Sequence, residues 1–366
     1  MEADLFKLSN RLNERVEANV AARRKRDYSS YLNLSSNELL HPATTPIVEE
    51  FGKALSGIHL ERYPYWTFCI ERYASYLGLN PMHVTLTPGS DDAIRMLFAC
   101  VLPGTERIVT QYPNYENYFI YADCFGLKTA QVRFSPMQDP VNFAQKLSAA
   151  IESHAGGCVV VANPHGFSGI RIPDEILLEL IEHARRRNCW FILDEAYAEF
   201  CGSAAHEWVR RFANLVVIRS FSKCFGMAGF RLGAVLANER VIEFLNRYRV
   251  MNGVSTVASE YLRFCLDRIE RFRRIWADIC ETRRWLARKL ASCCPGLFVP
   301  LSEANFILVI CGTADRRAAL VQALESERII VRSLHAYEEY GASFRMTVPH
   351  QEVARQVAEK IFSAAV

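Results

Sequence analysis

The run Ser220-Phe221-Ser222-Lys223-Cys224-Phe225-Gly226-Met227-Ala228-Gly229-Phe230-Arg231 decides how this chain is read. Upstream, Leu215-Val216-Val217-Ile218 is a short apolar, β-branched run of the kind that forms a buried strand, and downstream Leu232-Gly233-Ala234-Val235-Leu236 reads as another. Lys223 therefore stands in a tight connection between two core strands. Desolvation there favours the neutral amine, and a neutral amine condenses with a carbonyl to give a Schiff base. The hydroxyls of Ser220 and Ser222, the permissive backbone at Gly226 and Gly229 and the guanidinium of Arg231 are what a phosphate would need beside that amine. Together they describe a seat for a phosphorylated aldehyde, which is the chemistry of pyridoxal 5'-phosphate.

The rest of the composition is compatible with a soluble enzyme. With 366 residues, half of them hydrophobic, the chain has material for one large core and a smaller one. A net charge of +3 gives no electrostatic case for a nucleic-acid partner or a strongly acidic one. The 12 cysteines are scattered and spell neither a Cys-x-x-Cys pair nor a zinc site, so no metal is expected and free thiols of a reducing compartment are. No apolar run approaches membrane-spanning length, and the N-terminus lacks a signal-like apolar stretch. The expectation is a cytoplasmic protein with no membrane partner.

Working outward from Lys223, further stretches carry chemistry. The buried-strand run Cys189-Trp190-Phe191-Ile192-Leu193 delivers Asp194-Glu195-Ala196-Tyr197. A carboxylate at the end of a buried strand is costly unless paired, and a protonated pyridine nitrogen is a suitable partner for Asp194. Thr87-Pro88-Gly89-Ser90-Asp91-Asp92 opens a helical pattern whose free N–H groups and dipole suit a phosphate. Arg107-Ile108-Val109-Thr110 reads as a strand followed by the turn Tyr112-Pro113-Asn114-Tyr115, and Cys158-Val159-Val160-Val161-Ala162 as a strand running into Asn163-Pro164-His165-Gly166. Helices are expected at Pro173 to Arg187, Asn238 to Arg249 and, as one long stretch, Ser255 to about Leu290. Strands follow at 304–309, 329–332 and 343–348, alternating with helices at about 316–325 and 351–362. Leu5, Leu8, Leu12 and Val16 give an amphipathic N-terminal arm that ends in Arg23-Arg24-Lys25-Arg26.

Ser-x-Ser-Lys-x-x-Gly-x-x-Gly-x-Arg at 220–231 resembles the lysine motif of the class I/II aminotransferases, and 225–233 is most similar to the histidinol-phosphate aminotransferase branch. The resemblance extends from Asn33 to about Val348. It implies a fold type I α/β architecture: an arm over residues 1–40, a large cofactor domain over 41–250 with a mainly parallel sheet of the seven-stranded type between helices, and a small C-terminal α/β domain over 251–366. It also implies a homodimer, with Tyr63 of the Tyr63-Pro64 element reaching the cofactor phosphate of the other subunit. Ser90 and Asp91 would hold the phosphate, Tyr115 would stack on the pyridine ring, Tyr197 would donate to its phenolic oxygen, and Arg345 would clamp the substrate carboxylate. Asn37, in Asn33-Leu34-Ser35-Ser36-Asn37-Glu38, matches the opening of the substrate cleft.

Two departures stand out. Leu39-Leu40-His41 replaces the usual residues after Asn-Glu, and Gly166 falls where the family has an asparagine donor to the cofactor's phenolic oxygen, with His165 next door as a candidate substitute. The function expected is amino transfer from an α-amino acid to a 2-oxo acid, with Lys223, Asp194 and Tyr197 catalytic. The alternative is a lyase, decarboxylase or cyclase on the same cofactor, similar to capreomycidine synthase, that needs no keto acid acceptor.

Overall fold

The computed structural model describes residues 30–100, 105 and 107–365. The expected arm over Asp4 to Arg26 lies outside the described residues. Twelve strands are described: β1 Leu32–Asn33, β2 Val84–Thr87, β3 Arg107–Tyr112, β4 Lys128–Arg133, β5 Cys158–Ala162, β6 Trp190–Asp194, β7 Leu215–Ser220, β8 Gly233–Ala237, β9 Phe306–Ile310, β10 Ile329–Ile330, β11 Arg332–Ser333 and β12 Ser343–Thr347.

Seven of them form one sheet in the order β2-β8-β7-β6-β5-β3-β4. Only β8 runs against its neighbours β2 and β7; the other pairings are parallel. Every residue of β5, β7 and β8 is buried, because helices cover both faces of the sheet, and that is why these strands read as unbroken apolar runs rather than alternating ones. The period of two still sorts the side chains. Val160, Ile192, Val216 and Ile218 join one core layer with helices Gly89–Cys100, Glu116–Cys124 and Glu239–Tyr248, while Val159, Val161, Leu193 and Val217 face the other layer.

In the C-terminal part, β11, β12 and β9 form an antiparallel sheet, backed by helices Ile269–Cys293, Ala314–Ser326 and Gln351–Ala365. Here the structure corrects two expectations. The single strand expected at 329–332 is split: Ile329–Ile330 pairs parallel with β1, and Arg332–Ser333 pairs with β12. The long helix expected from Ser255 is two helices, Thr256–Leu266 and Ile269–Cys293. Arg268 leaves the helical region at φ −118, its guanidinium folds over the Phe264 ring, and Arg72 pairs with Asp267 at 2.8 Å, so tertiary contacts hold the break. β2 and β4 are strands that the sequence reading did not mark.

The β1 pairing fixes the path of the N-terminal segment. Leu34 accepts from the backbone and hydroxyl of Thr347, so residues 32–37 run along the C-terminal sheet before crossing to the large sheet. No helix of the described residues is long and apolar enough to cross a membrane.

Candidate active site

The residues singled out above gather past the C-terminal ends of the parallel strands, where open α/β sheets leave a crevice. Asp194 ends β6, Lys223 lies in the one-turn helix Phe221–Cys224 after β7, Tyr115 follows β3, and Gly89 opens the helix after β2.

Lys223 is half-buried, and its Nζ donates to the carbonyl of Ser36 at 2.7 Å. Burial lowers its pKa to about 8; the nearby guanidiniums of Arg345 and Arg231 push the same way, and Glu38 and Asp91 only partly offset them. About one tenth of the amine is therefore neutral at pH 7, far more than for an ordinary lysine. Ser220 and Ser222 are buried on either side of Phe221.

Arg231 takes a left-handed φ of 53 and lays its guanidinium across the start of helix Gly89–Cys100, where a Cβ on Gly89 would come within 2.9 Å of Nη2. On the other side β8 presses in, since a Cβ on Gly233 would meet the Ser90 nitrogen at 2.6 Å. Two glycines thus bring an arginine and a strand against the unpaired N–H groups of a helix start, a cradle suited to a dianion. Asp91 spends its side chain inside this group, accepting from Arg231 at 3.1 Å, from the Tyr115 hydroxyl at 2.8 Å and from Asn117 at 3.0 Å. A carboxylate repels phosphate, so what Asp91 offers an anion is its backbone N–H and the orientation of Arg231.

Asp194 is buried, with Oδ2 accepting from the Tyr118 hydroxyl at 2.9 Å and Oδ1 from the Ala196 N–H at 3.1 Å. Burial raises its pKa to about 6, despite the opposing effect of those two donors. It is a carboxylate held ready for a cation. Tyr197, at the start of the turn beyond it, accepts from Asn37 Nδ2 at 2.9 Å and packs edge-on against Phe306.

Arg345, on β12, donates to the carbonyls of Gly166 and Ser35, and its Nε is buried without a partner. Among the described residues no carboxylate pairs with it, and burial lowers its pKa. Arg332 stands opposite it in register on β11, so two cations share one patch, with Arg332 near Glu116 at 3.5 Å. An arginine held this way is a ready site for a ligand carboxylate or phosphate.

Two of the expected residues are placed differently. His165 is turned into the core: Nε2 bonds the Pro113 carbonyl at 2.8 Å, Nδ1 bonds the Ser168 hydroxyl at 2.9 Å, and burial drives its pKa down to about 4. Both ring nitrogens are engaged there, which leaves His165 no donor for a ligand in place of the missing asparagine. Asn37 is 1% exposed and bonded to protein groups rather than open to a substrate. Tyr63, expected to serve the other subunit's site rather than this one, is 84% exposed and lies outside the group, on a surface where Leu60, Tyr65 and Phe68 are also exposed. Conversely, sequence reading passed over Tyr118, one tyrosine among several in its segment, and the carbonyl of Ser36, which no sequence signal marks.

Fold and site define a pyridoxal-phosphate-dependent enzyme of fold type I. The profile of "Aminotransferase class I and II" matches residues 29–361, and the chain belongs to that family. It is 30% identical to the histidinol-phosphate aminotransferase of Thermococcus gammatolerans over 306 residues, 83% of each chain. In structure it is similar to the histidinol-phosphate aminotransferase from Sinorhizobium meliloti, solved with pyridoxal-5'-phosphate, with a TM-score of 0.80 and 20% identity over 95% of this chain and 94% of that one. It also resembles the L-threonine-O-3-phosphate decarboxylase from Porphyromonas gingivalis, with a TM-score of 0.73 and 17% identity over 91% and 98% of the two chains.

Proposed function

We propose that the enzyme transfers the amino group of an α-amino acid or a similar anionic amine to a 2-oxo acid, with Lys223 holding pyridoxal phosphate and then moving the proton at the substrate's α-carbon. The observation that carries the reading is the pairing of a lysine whose pKa lies at about 8 with a buried carboxylate whose pKa is raised to about 6, both past the ends of adjacent strands. Environments that push two titratable groups in opposite directions identify an acid–base site. The donor set fits the cofactor: Arg231, Ser90, the backbone N–H of Asp91, Ser220 and Ser222 for the phosphate, Asp194 for the pyridine nitrogen, Tyr197 for the phenolic oxygen and Tyr115 beside the ring.

Bound there, pyridoxal phosphate supplies a carbonyl for the incoming amine and a cationic ring that draws electrons from the substrate's α-carbon. The protein does the rest. Asp194 keeps the ring nitrogen protonated, Arg345 orients the substrate through its anionic group, and Lys223 Nζ takes and returns the proton. The double guanidinium of Arg345 and Arg332 also suits a phosphorylated amine, such as the histidinol phosphate named for the relatives.

One observation favours the second reading, a lyase, decarboxylase or cyclase. A Cβ built on Gly166 meets nothing within 4 Å, so the site has room that an asparagine would fill. We further propose a cytoplasmic homodimer in which the exposed Tyr63, Tyr65 and Phe68 surface meets a second copy and brings Tyr63 to the partner's phosphate seat. We also propose a domain boundary at the Asp267–Arg268 break rather than at 250/251, a reading supported by the packing of helix Thr256–Leu266 on helix Thr67–Leu77 beside the large sheet.

The test is keto acid dependence. Purified enzyme is incubated with an amino-acid pool, and separately with histidinol phosphate, with and without 2-oxoglutarate. Amino transfer requires glutamate to appear as the donor is consumed. Consumption of the donor without the oxo acid supports the second reading instead.

A further inference from the structure

Asn37 was expected to contact substrate, and the structure gives it other partners on every side. Its backbone holds a left-handed φ of 55, a conformation asparagine tolerates better than most side chains. Its N–H donates to Thr347 Oγ1 at 2.9 Å, its carbonyl accepts from Asn305 Nδ2 at 2.9 Å, and its own Nδ2 donates to the Tyr197 hydroxyl at 2.9 Å. These partners come from separate parts of the fold. Tyr197 follows β6 of the large sheet, whereas Thr347 is the last residue of β12 and Asn305 immediately precedes β9.

β12 is also the strand that carries Arg345, two residues before Thr347 and on the same side of the pleat. A short chain of contacts therefore joins the arginine that would clamp substrate, through Thr347 and Asn37, to the tyrosine that would face the cofactor. The direction of the Asn37–Tyr197 bond matters. A phenol oxygen that accepts from Asn37 keeps its own proton for a bond elsewhere, so the amide turns the O–H away from itself.

We infer that Asn37 is a positioning residue that aims the Tyr197 hydroxyl and ties it to the strand bearing Arg345, so that seating of the substrate's anionic group on β12 and orientation of Tyr197 are set together. The inference rests on Tyr197 facing the cofactor, as proposed above. An alternative role as mere packing filler would give a loss of stability without a specific effect on Tyr197.

The test is a double-mutant cycle on the holoenzyme with Asn37→Gly and Tyr197→Phe, because glycine accepts the left-handed backbone and removes only the amide. Two quantities are read: kcat against KM, and the midpoint of the pH titration of the bound cofactor's visible absorption. Asn37→Gly is expected to lower kcat roughly two- to tenfold, the range that loss of one neutral hydrogen bond supports, with little change in KM. It is also expected to shift the spectral midpoint in the same direction as Tyr197→Phe, and to add nothing in the Tyr197→Phe background. Thr347→Val, which keeps the packing and removes the hydroxyl, is expected to act in the same direction and stands in the cycle if Asn37→Gly does not fold.

If Tyr197→Phe moves the midpoint while Asn37→Gly leaves it unchanged, or if the two effects simply add, the inference is overturned. If Tyr197→Phe itself leaves the midpoint unchanged, the placement of Tyr197 against the cofactor is what fails, and the inference falls with it.

Discussion

Tyr118→Phe is the most informative small perturbation of the site, because it removes one oxygen and keeps the ring that packs against Phe98 and Tyr115. The lost hydroxyl is a donor to a buried carboxylate, and a hydrogen bond to a charged group contributes roughly 1.5–3 kcal/mol. That corresponds to a rise of about one to two pKa units for Asp194, on top of the value of about 6 that burial already imposes. The effect on the stability of the cofactor-free protein has a definite sign. A carboxyl whose folded pKa lies above its unfolded value of 3.8 takes up a proton more readily in the native state, so stability increases as pH falls through the folded pKa. In the parent the onset of this gain lies around pH 6, and the gain is complete near the unfolded value of 3.8. In Tyr118→Phe it should move to roughly pH 7–8, so that the variant is about 1.5–3 kcal/mol less stable than the parent above pH 8.5 and close to it at pH 5. Urea denaturation of both apoproteins across that range measures the difference. A deficit that is the same at every pH would refute the reasoning, since it would show lost packing rather than a lost bond to Asp194. In an Asp194→Asn background the pH dependence of the deficit should vanish.

Two further outcomes follow from the site's geometry. Gly166→Asn should fold with stability within about 0.5 kcal/mol of the parent, because the side chain enters open space without backbone strain. It should also lower the midpoint of the cofactor's spectral titration by about one to two units through the restored hydrogen bond, while impairing the native reaction; an unchanged spectrum would count against the electrostatic argument. Mixing Tyr63→Phe chains with Lys223→Ala chains should regenerate one intact site per heterodimer, and absence of recovery from two inactive parents would exclude a cross-subunit role for Tyr63.

The parts of this site that the sequence made legible are those where local chemistry and burial coincide. Asp194 ends a run buried on both faces and Lys223 follows another within three residues, so a costly charge at or just past an apolar strand marked them without any tertiary knowledge. The Gly89 cradle was legible for a similar reason, as a glycine before a capped helix. The network around Asn37 was not, because its partners Tyr197, Asn305 and Thr347 lie 160, 268 and 310 residues away and no periodicity links them. β1 and β10 are two residues each and pair across almost the whole chain, so no pattern of useful length exists to read. His165 misled for another reason: an imidazole beside a missing donor looks like its substitute, and only the Pro113 carbonyl and the Ser168 hydroxyl show where its nitrogens are spent.

The central claim is that Lys223 carries the cofactor, and borohydride reduction followed by peptide mapping tests it most directly. The purified enzyme should be yellow, lose that colour on reduction, and yield a single modified peptide with the cofactor fixed on Lys223. A modified peptide containing any other lysine, or none at all from enzyme saturated with pyridoxal phosphate, would contradict the account.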